Sequence, residues 1–175
     1  MPPNEIYSYV FIYSADPGKS VRGLVDKLRR DRSSQVIFSV DVAGAYEGFA
    51  VTKTTDLAQL QDLIADAELW ADAKEVMIEV KGGHRPAKRE TCDKLAIVRI
   101  RTNHGLANSV FETLDGWVRE DERFHGVSMV HGRFDILFTI DAPSFEEVQE
   151  LSLRLQTVSG IRSTETSFAD CTRPR

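Results

Sequence analysis

The sequence of this 175-residue chain repeats itself with a constant offset of 88 positions. The stretch VAGAYEGF matches VHGRFDIL, which pairs Gly44 with Gly132. Upstream, the run YVFI at 9–12 falls on IVRI at 97–100 at the same spacing. One register held over such a distance indicates a tandem duplication, so both halves are expected to fold in the same way.

The first half contains four strand patterns and two helix patterns. Runs rich in β-branched and aromatic residues predict strands at 9–13, 36–42, 46–52 and 76–80. Apolar positions with helical spacing predict a helix that contains Val21, Leu24, Val25 and Leu28. A second helix is predicted to begin after Asp56, whose carboxylate caps it.

The second half repeats this order with clearer signals. Strands are predicted at 95–101, 127–130, 134–140 and 161–168. The sequences SVFE at 109–112 and SFEE at 144–147 are capping boxes, each predicting the start of a helix.

The order βαββαβ in each half is typical of a ferredoxin-like arrangement, in which both helices cover one face of a four-stranded antiparallel sheet. The predicted fold is therefore α+β, with two tandem ferredoxin-like repeats that form an intrachain pseudo-dimer of the dimeric α/β-barrel type. The repeats are expected at 5–80 and 92–170. The Gly-rich, charged segment 81–91 is read as a linker.

Charge and hydropathy exclude several classes of protein. The net charge of −5 and the isoelectric point near 5.4 give no general attraction to nucleic acid or to anionic membranes. The N-terminus lacks the features of a signal peptide, and every apolar run is shorter than a membrane span. We therefore expect a soluble cytoplasmic protein.

Cysteine and histidine spacing predicts neither a metal site nor a cofactor. The four histidines are scattered, and Cys92 and Cys171 fit no CxxC pattern. The two cysteines flank the first and last strands of the second half, which are neighbours in a βαββαβ sheet. A disulfide is compatible with these positions, whereas a cytoplasmic location favours free thiols, so the choice stays open.

The stretch from Val130 to Phe168 resembles the ligand-binding domain of the Lrp/AsnC regulators, also called the RAM domain. The shared features are a V-x-G-x-[FY]-D turn, a capped helix and the closing sequence GIRSTETSF at 160–168. The first half keeps the turn as VAGAYE but lacks the closing signature. The resemblance spans nearly the whole chain if both copies are counted.

This resemblance implies binding of a small effector, often an amino acid, and self-association. Members of the family usually read DNA through an N-terminal helix-turn-helix, but strand residues here begin near Tyr7, which leaves no room for one. Direct DNA binding is therefore not expected. The remaining partners would be the effector and a full-length Lrp/AsnC-type regulator.

The turn between the second and third strands of each half is the predicted ligand site. Exposed amides beside a glycine can receive a carboxylate, and the acid that follows can receive an ammonium. In the first half the candidates are Gly44, Ala45, Tyr46 and Glu47. In the second half they are His131, Gly132, Arg133, Phe134 and Asp135, and the resemblance adds Thr166 and Ser167 from the last strand. The structural alternative is a simple tight turn with surface acids.

These expectations give one leading function and two alternatives. The leading hypothesis is a stand-alone, non-enzymatic protein that senses an amino acid or a similar metabolite and modulates a transcriptional regulator. The first alternative is a small cofactor-free enzyme on a dimeric α/β barrel, of the monooxygenase or isomerase type. The second is an oligomerisation module.

Overall fold

The computed structural model describes residues 5–13, 26, 30–32, 34–68, 73–83 and 93–171. The chain divides into two compact units, Met1–Glu79 and Val80–Arg175. Outside the described residues lie Val21, Leu24, Val25 and Leu28 of the first predicted helix, most of the predicted linker, and Cys92.

The first unit contains an antiparallel sheet with strand order β2-β3-β1-β4. The elements fully within its described residues are β1 (Ile6–Tyr13), β2 (Val36–Asp41), β3 (Gly48–Thr54), α1 (Leu57–Glu68) and β4 (Ala73–Gly82). All four strand predictions for this half are confirmed.

Helix α1 begins where the sequence predicts. The Asp56 carboxylate accepts a hydrogen bond from the Gln59 backbone N–H at 2.9 Å, which satisfies one of the free donors of the first turn. The buried Leu63 packs with Val10, Ile12, Val36 and Ala50. One face of the sheet is therefore the apolar core under the helix.

The second unit shows the complete βαββαβ order, with strand order β6-β7-β5-β8 in its antiparallel sheet. Its elements are β5 (Lys94–Thr102), α2 (Ala107–Glu120), β6 (Phe124–His131), β7 (Ile136–Ala142), α3 (Phe145–Arg154), a 3₁₀ turn (Leu155–Thr157) and β8 (Ile161–Asp170). The predicted ferredoxin-like unit and the α+β fold class are confirmed.

One of the two capping boxes is correct. Ser144 Oγ accepts a hydrogen bond from the Glu147 N–H at 3.2 Å, as predicted for the start of α3. The prediction for Ser109 is wrong, because α2 already begins at Ala107. The chain turns at Gly105, where φ is 78°, and Leu106 is an N-cap without a side-chain hydrogen bond.

The two units share their turn geometry at the offset found in the sequence. The Val42 N–H donates to the Glu47 carbonyl oxygen at 2.8 Å, and the Val130 N–H donates to that of Asp135 at 2.9 Å. Adding 88 to the residue numbers of β3 gives the bounds of β7, and adding 88 to those of β4 gives the bounds of β8. The duplicated pattern thus corresponds to a duplicated backbone.

Each sheet has a second face, turned away from its helix core. In β5, Ala96, Val98 and Ile100 belong to the core under α2 and α3. Because side chains alternate along a strand, Arg99 and Arg101 lie on the opposite face. Arg99 is nevertheless fully buried.

Cys171 follows β8 and is disulfide-bonded. Its backbone N–H donates to the Asp93 carbonyl oxygen at 2.9 Å, beyond the paired ends of β5 and β8. Among the described helices, none combines the length and the apolar character needed to cross a membrane.

Candidate functional site

The predicted turn of the first unit places Tyr46 against a carboxylate. The Tyr46 hydroxyl donates a hydrogen bond to Glu75 Oε2 at 3.1 Å, and its ring lies 5.5 Å from the Phe11 ring. Phe11 and Glu75 are direct partners across the β1–β4 ladder. Three elements, namely the turn, β1 and β4, therefore converge on one half-buried phenol–carboxylate pair.

Aromatic rings surround this pair on the face of the sheet away from the helix. The Phe49 ring lies 4.9 Å from Phe11 and 6.3 Å from Phe38, and it stacks on Tyr9 at 6.3 Å. The Tyr9 hydroxyl donates a hydrogen bond to Glu79, a second contact of the same kind. This face of the sheet combines buried aromatic rings with two acid–phenol pairs.

The corresponding turn of the second unit places Phe134 among arginines. Arg99 and Glu165 are direct partners across the β5–β8 ladder, and Arg99 Nη2 lies 3.4 Å from Glu165 Oε2. The Phe134 ring centroid lies 5.3 Å from the Arg99 guanidinium. Arg99, Phe134 and Glu165 thus occupy the positions that Phe11, Tyr46 and Glu75 hold in the first unit.

Asp135 serves the turn itself. Its Oδ2 accepts hydrogen bonds from both the backbone N–H and the hydroxyl of Thr102, at 2.7 and 3.0 Å. Its backbone N–H donates to the Ile100 carbonyl oxygen at 2.9 Å, as that of Glu47 does to Ile12. The structure thus shows Asp135 fixing the end of β5.

The structure does not bring all the predicted residues together. Thr166 and Ser167 point to opposite faces of β8, because they pair with Val98 and Ile97 respectively. His131 and Gly132 are exposed, as are Gly44, Ala45 and Glu47. A ligand role for these residues stays a prediction.

Four residues beside the turns were missed by the sequence reasoning, namely Phe11, Glu75, Arg99 and Glu165. A signal for Arg99 exists, since it interrupts the apolar run IVRI with a charge. Strand alternation would also have placed Glu165 and Ser167 on one face. Which strand positions lie opposite each other depends on sheet register, which the sequence does not show.

Residues 95–170 match the Lrp/AsnC ligand binding domain. This range covers most of the second unit and less than half of the chain. The chain has no significant match among curated proteins.

Solved structures are similar to the chain over nearly its whole length. A mutant chlorite dismutase from Candidatus Nitrospira defluvii has a TM-score of 0.63 at 10% identity, over 97% of this chain and 92% of its own. A putative monooxygenase from Fusobacterium nucleatum has a TM-score of 0.57 at 9% identity, over 97% of this chain and 92% of its own. A haem-binding protein from Thermus thermophilus has a TM-score of 0.56 at 8% identity, over 95% of this chain and 90% of its own.

At these identities the likeness shows the fold alone, and that fold is the dimeric α/β barrel. The expectation of a stand-alone, non-enzymatic Lrp/AsnC-type sensor is wrong. The structures that match the full chain include a chlorite dismutase and a putative monooxygenase, whereas the Lrp/AsnC match is partial. Of the functions expected above, the alternative built on a dimeric α/β barrel agrees better with these full-length matches.

Haem is the cofactor that one of these similar proteins binds, and two of the described histidines, which are exposed, do not fit it. An axial histidine belongs inside a pocket that encloses the haem. His104 and His131 are exposed, and only His125 is half-buried. Nor do the described residues contain a group of three or more His, Cys, Asp or Glu side chains that suits a metal ion.

A cleft of about 290 Å³ lies elsewhere in the first unit, near Gln35 and Gln59. It also contains Glu5 and Lys53, which form a salt bridge of 2.7 Å. The hydrogen bond with Glu5 raises the pKa of Lys53 above its usual value. This cleft is lined by polar residues and contains no aromatic ring among its described residues, unlike the face that carries the acid–phenol pairs.

Proposed function

We propose that this protein is a small enzyme that moves protons on a planar, largely apolar substrate without a bound cofactor. The observation that carries the proposal is the hydrogen bond from the Tyr46 hydroxyl to Glu75, at 3.1 Å, beside buried aromatic rings. A carboxylate held beside a phenol is suited to general acid–base chemistry.

The proposed step is abstraction of a proton from the carbon next to a carbonyl group. Glu75 takes the proton, and the electron pair of the C–H bond moves to the carbonyl oxygen to form an enolate. Tyr46 turns its hydroxyl from Glu75 to that oxygen and stabilises the developing charge. Return of the proton to another carbon completes an isomerisation.

The aromatic surroundings favour a flat substrate. Phe11 and Phe49 are buried beside the pair and make its surroundings apolar, which suits the apolar part of such a substrate. Gly44, Ala45 and Glu47 are exposed next to Tyr46, so we propose that the substrate approaches from this turn. A monooxygenase reaction would use the same enolate and would need molecular oxygen as co-reactant.

The test uses 2-tetralone, a planar ketone that forms an enolate readily. Deuterium incorporation at its α-carbon in D₂O is followed by NMR, and an oxygen electrode reports any oxygenase reaction. We expect the wild-type protein to accelerate exchange. Tyr46→Phe and Glu75→Gln should each lower the rate about 10²- to 10⁴-fold, whereas the exposed Tyr13→Phe should not.

Two results would refute this function. One is an exchange rate no higher than in buffer for this ketone. The other is exchange that persists unchanged in both Tyr46→Phe and Glu75→Gln. Oxygen uptake alongside exchange would identify the monooxygenase type, and exchange alone would identify the isomerase type. Self-association remains a separate prediction, for which light scattering is the measurement.

A further inference from the structure

Three arginines surround one buried phenyl ring in the second unit. The guanidinium carbons of Arg99, Arg101 and Arg133 lie 5.3, 4.9 and 5.4 Å from the centre of the Phe134 ring. Each distance is within the range of a cation–π contact. Three positive charges therefore lie close together around this ring. We call Arg99, Arg101 and Arg133 the arginine group.

Glu165 is a carboxylate that contacts two members of this group. Its two oxygens lie 3.4 Å from Arg99 Nη2 and 3.3 Å from Arg133 Nη2. Tight guanidinium–carboxylate hydrogen bonds measure about 2.7–2.9 Å, so Glu165 bridges the two arginines loosely. The neighbouring Asp135 has its Oδ2 engaged with Thr102.

We propose that the arginine group binds the oxyanion of a small molecule, a carboxylate or a phosphate, in competition with Glu165. Guanidinium groups match the planar oxygens of such anions. Among the described residues, the buried Arg101 Nε has no hydrogen-bond partner and can donate to the incoming anion.

The burial of the group suits this role. The Arg99 side chain is fully buried, whereas that of Arg133 is 56% exposed and that of Glu165 36%. Attraction between charges is stronger away from water, so the buried end supplies affinity. The exposed end gives access, and Glu165 can move outward when the anion arrives. This binding requires no turnover and is independent of the proposed enzyme function.

Isothermal titration with benzoate, inorganic phosphate and the neutral benzamide tests the proposal. We expect saturable binding of benzoate, phosphate or both, and none of benzamide. Glu165→Gln removes the competing charge and should tighten binding about tenfold. Arg133→Ala should weaken it by a similar factor. Arg162→Ala removes an exposed arginine of the same strand β8 and should leave binding unchanged.

The choice of anion identifies its source. Binding of benzoate alone indicates a carboxylic acid ligand, and binding of phosphate alone indicates a phosphorylated one. Absence of saturable binding for both anions would overturn the proposal. It would also fail if Arg162→Ala weakened binding as much as Arg133→Ala, or if Glu165→Gln failed to tighten it. The gain expected for Glu165→Gln cannot arise from misfolding.

Discussion

Asp135 holds Thr102 through two hydrogen bonds to a single carboxylate oxygen, one from the backbone N–H at 2.7 Å and one from the hydroxyl at 3.0 Å. This contact ties the turn between β6 and β7 to the end of β5. A residue first read as a contact for a substrate ammonium thus has a visible structural role.

Replacing this carboxylate should destabilise the second unit. Hydrogen bonds to charged groups contribute more than neutral ones, so Asp135→Ala is expected to cost about 2 kcal/mol of unfolding free energy. The matched control is Glu47→Ala at the equivalent, exposed position, which should cost less than about 0.5 kcal/mol. Chemical denaturation measures both, and equal losses would contradict the assignment.

Gly160 should not tolerate a side chain. Its φ is 98°, and an added Cβ would lie 3.0 Å from Val110 Cγ2 and 3.2 Å from Leu106 Cβ. Gly160→Ala should therefore cost about 2 kcal/mol or more. Gly116 is the control, because it lies within α2 with nothing near its Cβ position. Gly116→Ala should stabilise the protein by about 0.5–1 kcal/mol, and thermal midpoints of both variants check the contrast.

Asp121 should make part of the stability pH-dependent. The side-chain hydrogen bond from Arg123 holds the pKa of Asp121 below its usual value. Because the folded pKa lies below the unfolded one, this stabilisation is complete above the unfolded pKa of about 4 and is lost as the pH falls through the folded pKa.

We therefore expect Asp121→Asn to flatten the fall in thermal midpoint between about pH 5 and pH 2. The exposed Asp62→Asn in the first unit is the control and should keep the wild-type slope. If the thermal midpoint of Asp121→Asn fell with pH as steeply as that of the wild type, the Asp121–Arg123 ion pair would not contribute to the pH dependence of stability.

Reduction of the disulfide should lower the free energy of unfolding, because Cys171 is disulfide-bonded. A disulfide restricts the unfolded chain, and its loss typically costs about 2–4 kcal/mol. The thermal midpoint should fall when dithiothreitol is added, and Cys171→Ser should show the lower midpoint with or without it. Reactive thiols in the denatured, unreduced protein would contradict this prediction.

Much of the fold could be predicted because its signals are local. Strand alternation and β-branched runs placed all eight strands, and the side chains of Asp56 and Ser144 placed the starts of α1 and α3. The start of α2 was missed because its N-cap, Leu106, makes no side-chain contact that the sequence would reveal. There the backbone turn at Gly105 decides the boundary.

The sequence by itself predicted two halves of similar fold, since matching residues recur at one offset and each half must bury the same apolar pattern. Only the tertiary structure decided which side chains meet at the turns. The offset pairs Glu75 with Ser163, but in the sheets Glu75 faces Phe11 and Glu165 faces Arg99. This two-residue difference in register is set by hydrogen bonding between strands distant in sequence. Register therefore brings a carboxylate to the equivalent place in both repeats, where it meets a phenol in the first and arginines in the second.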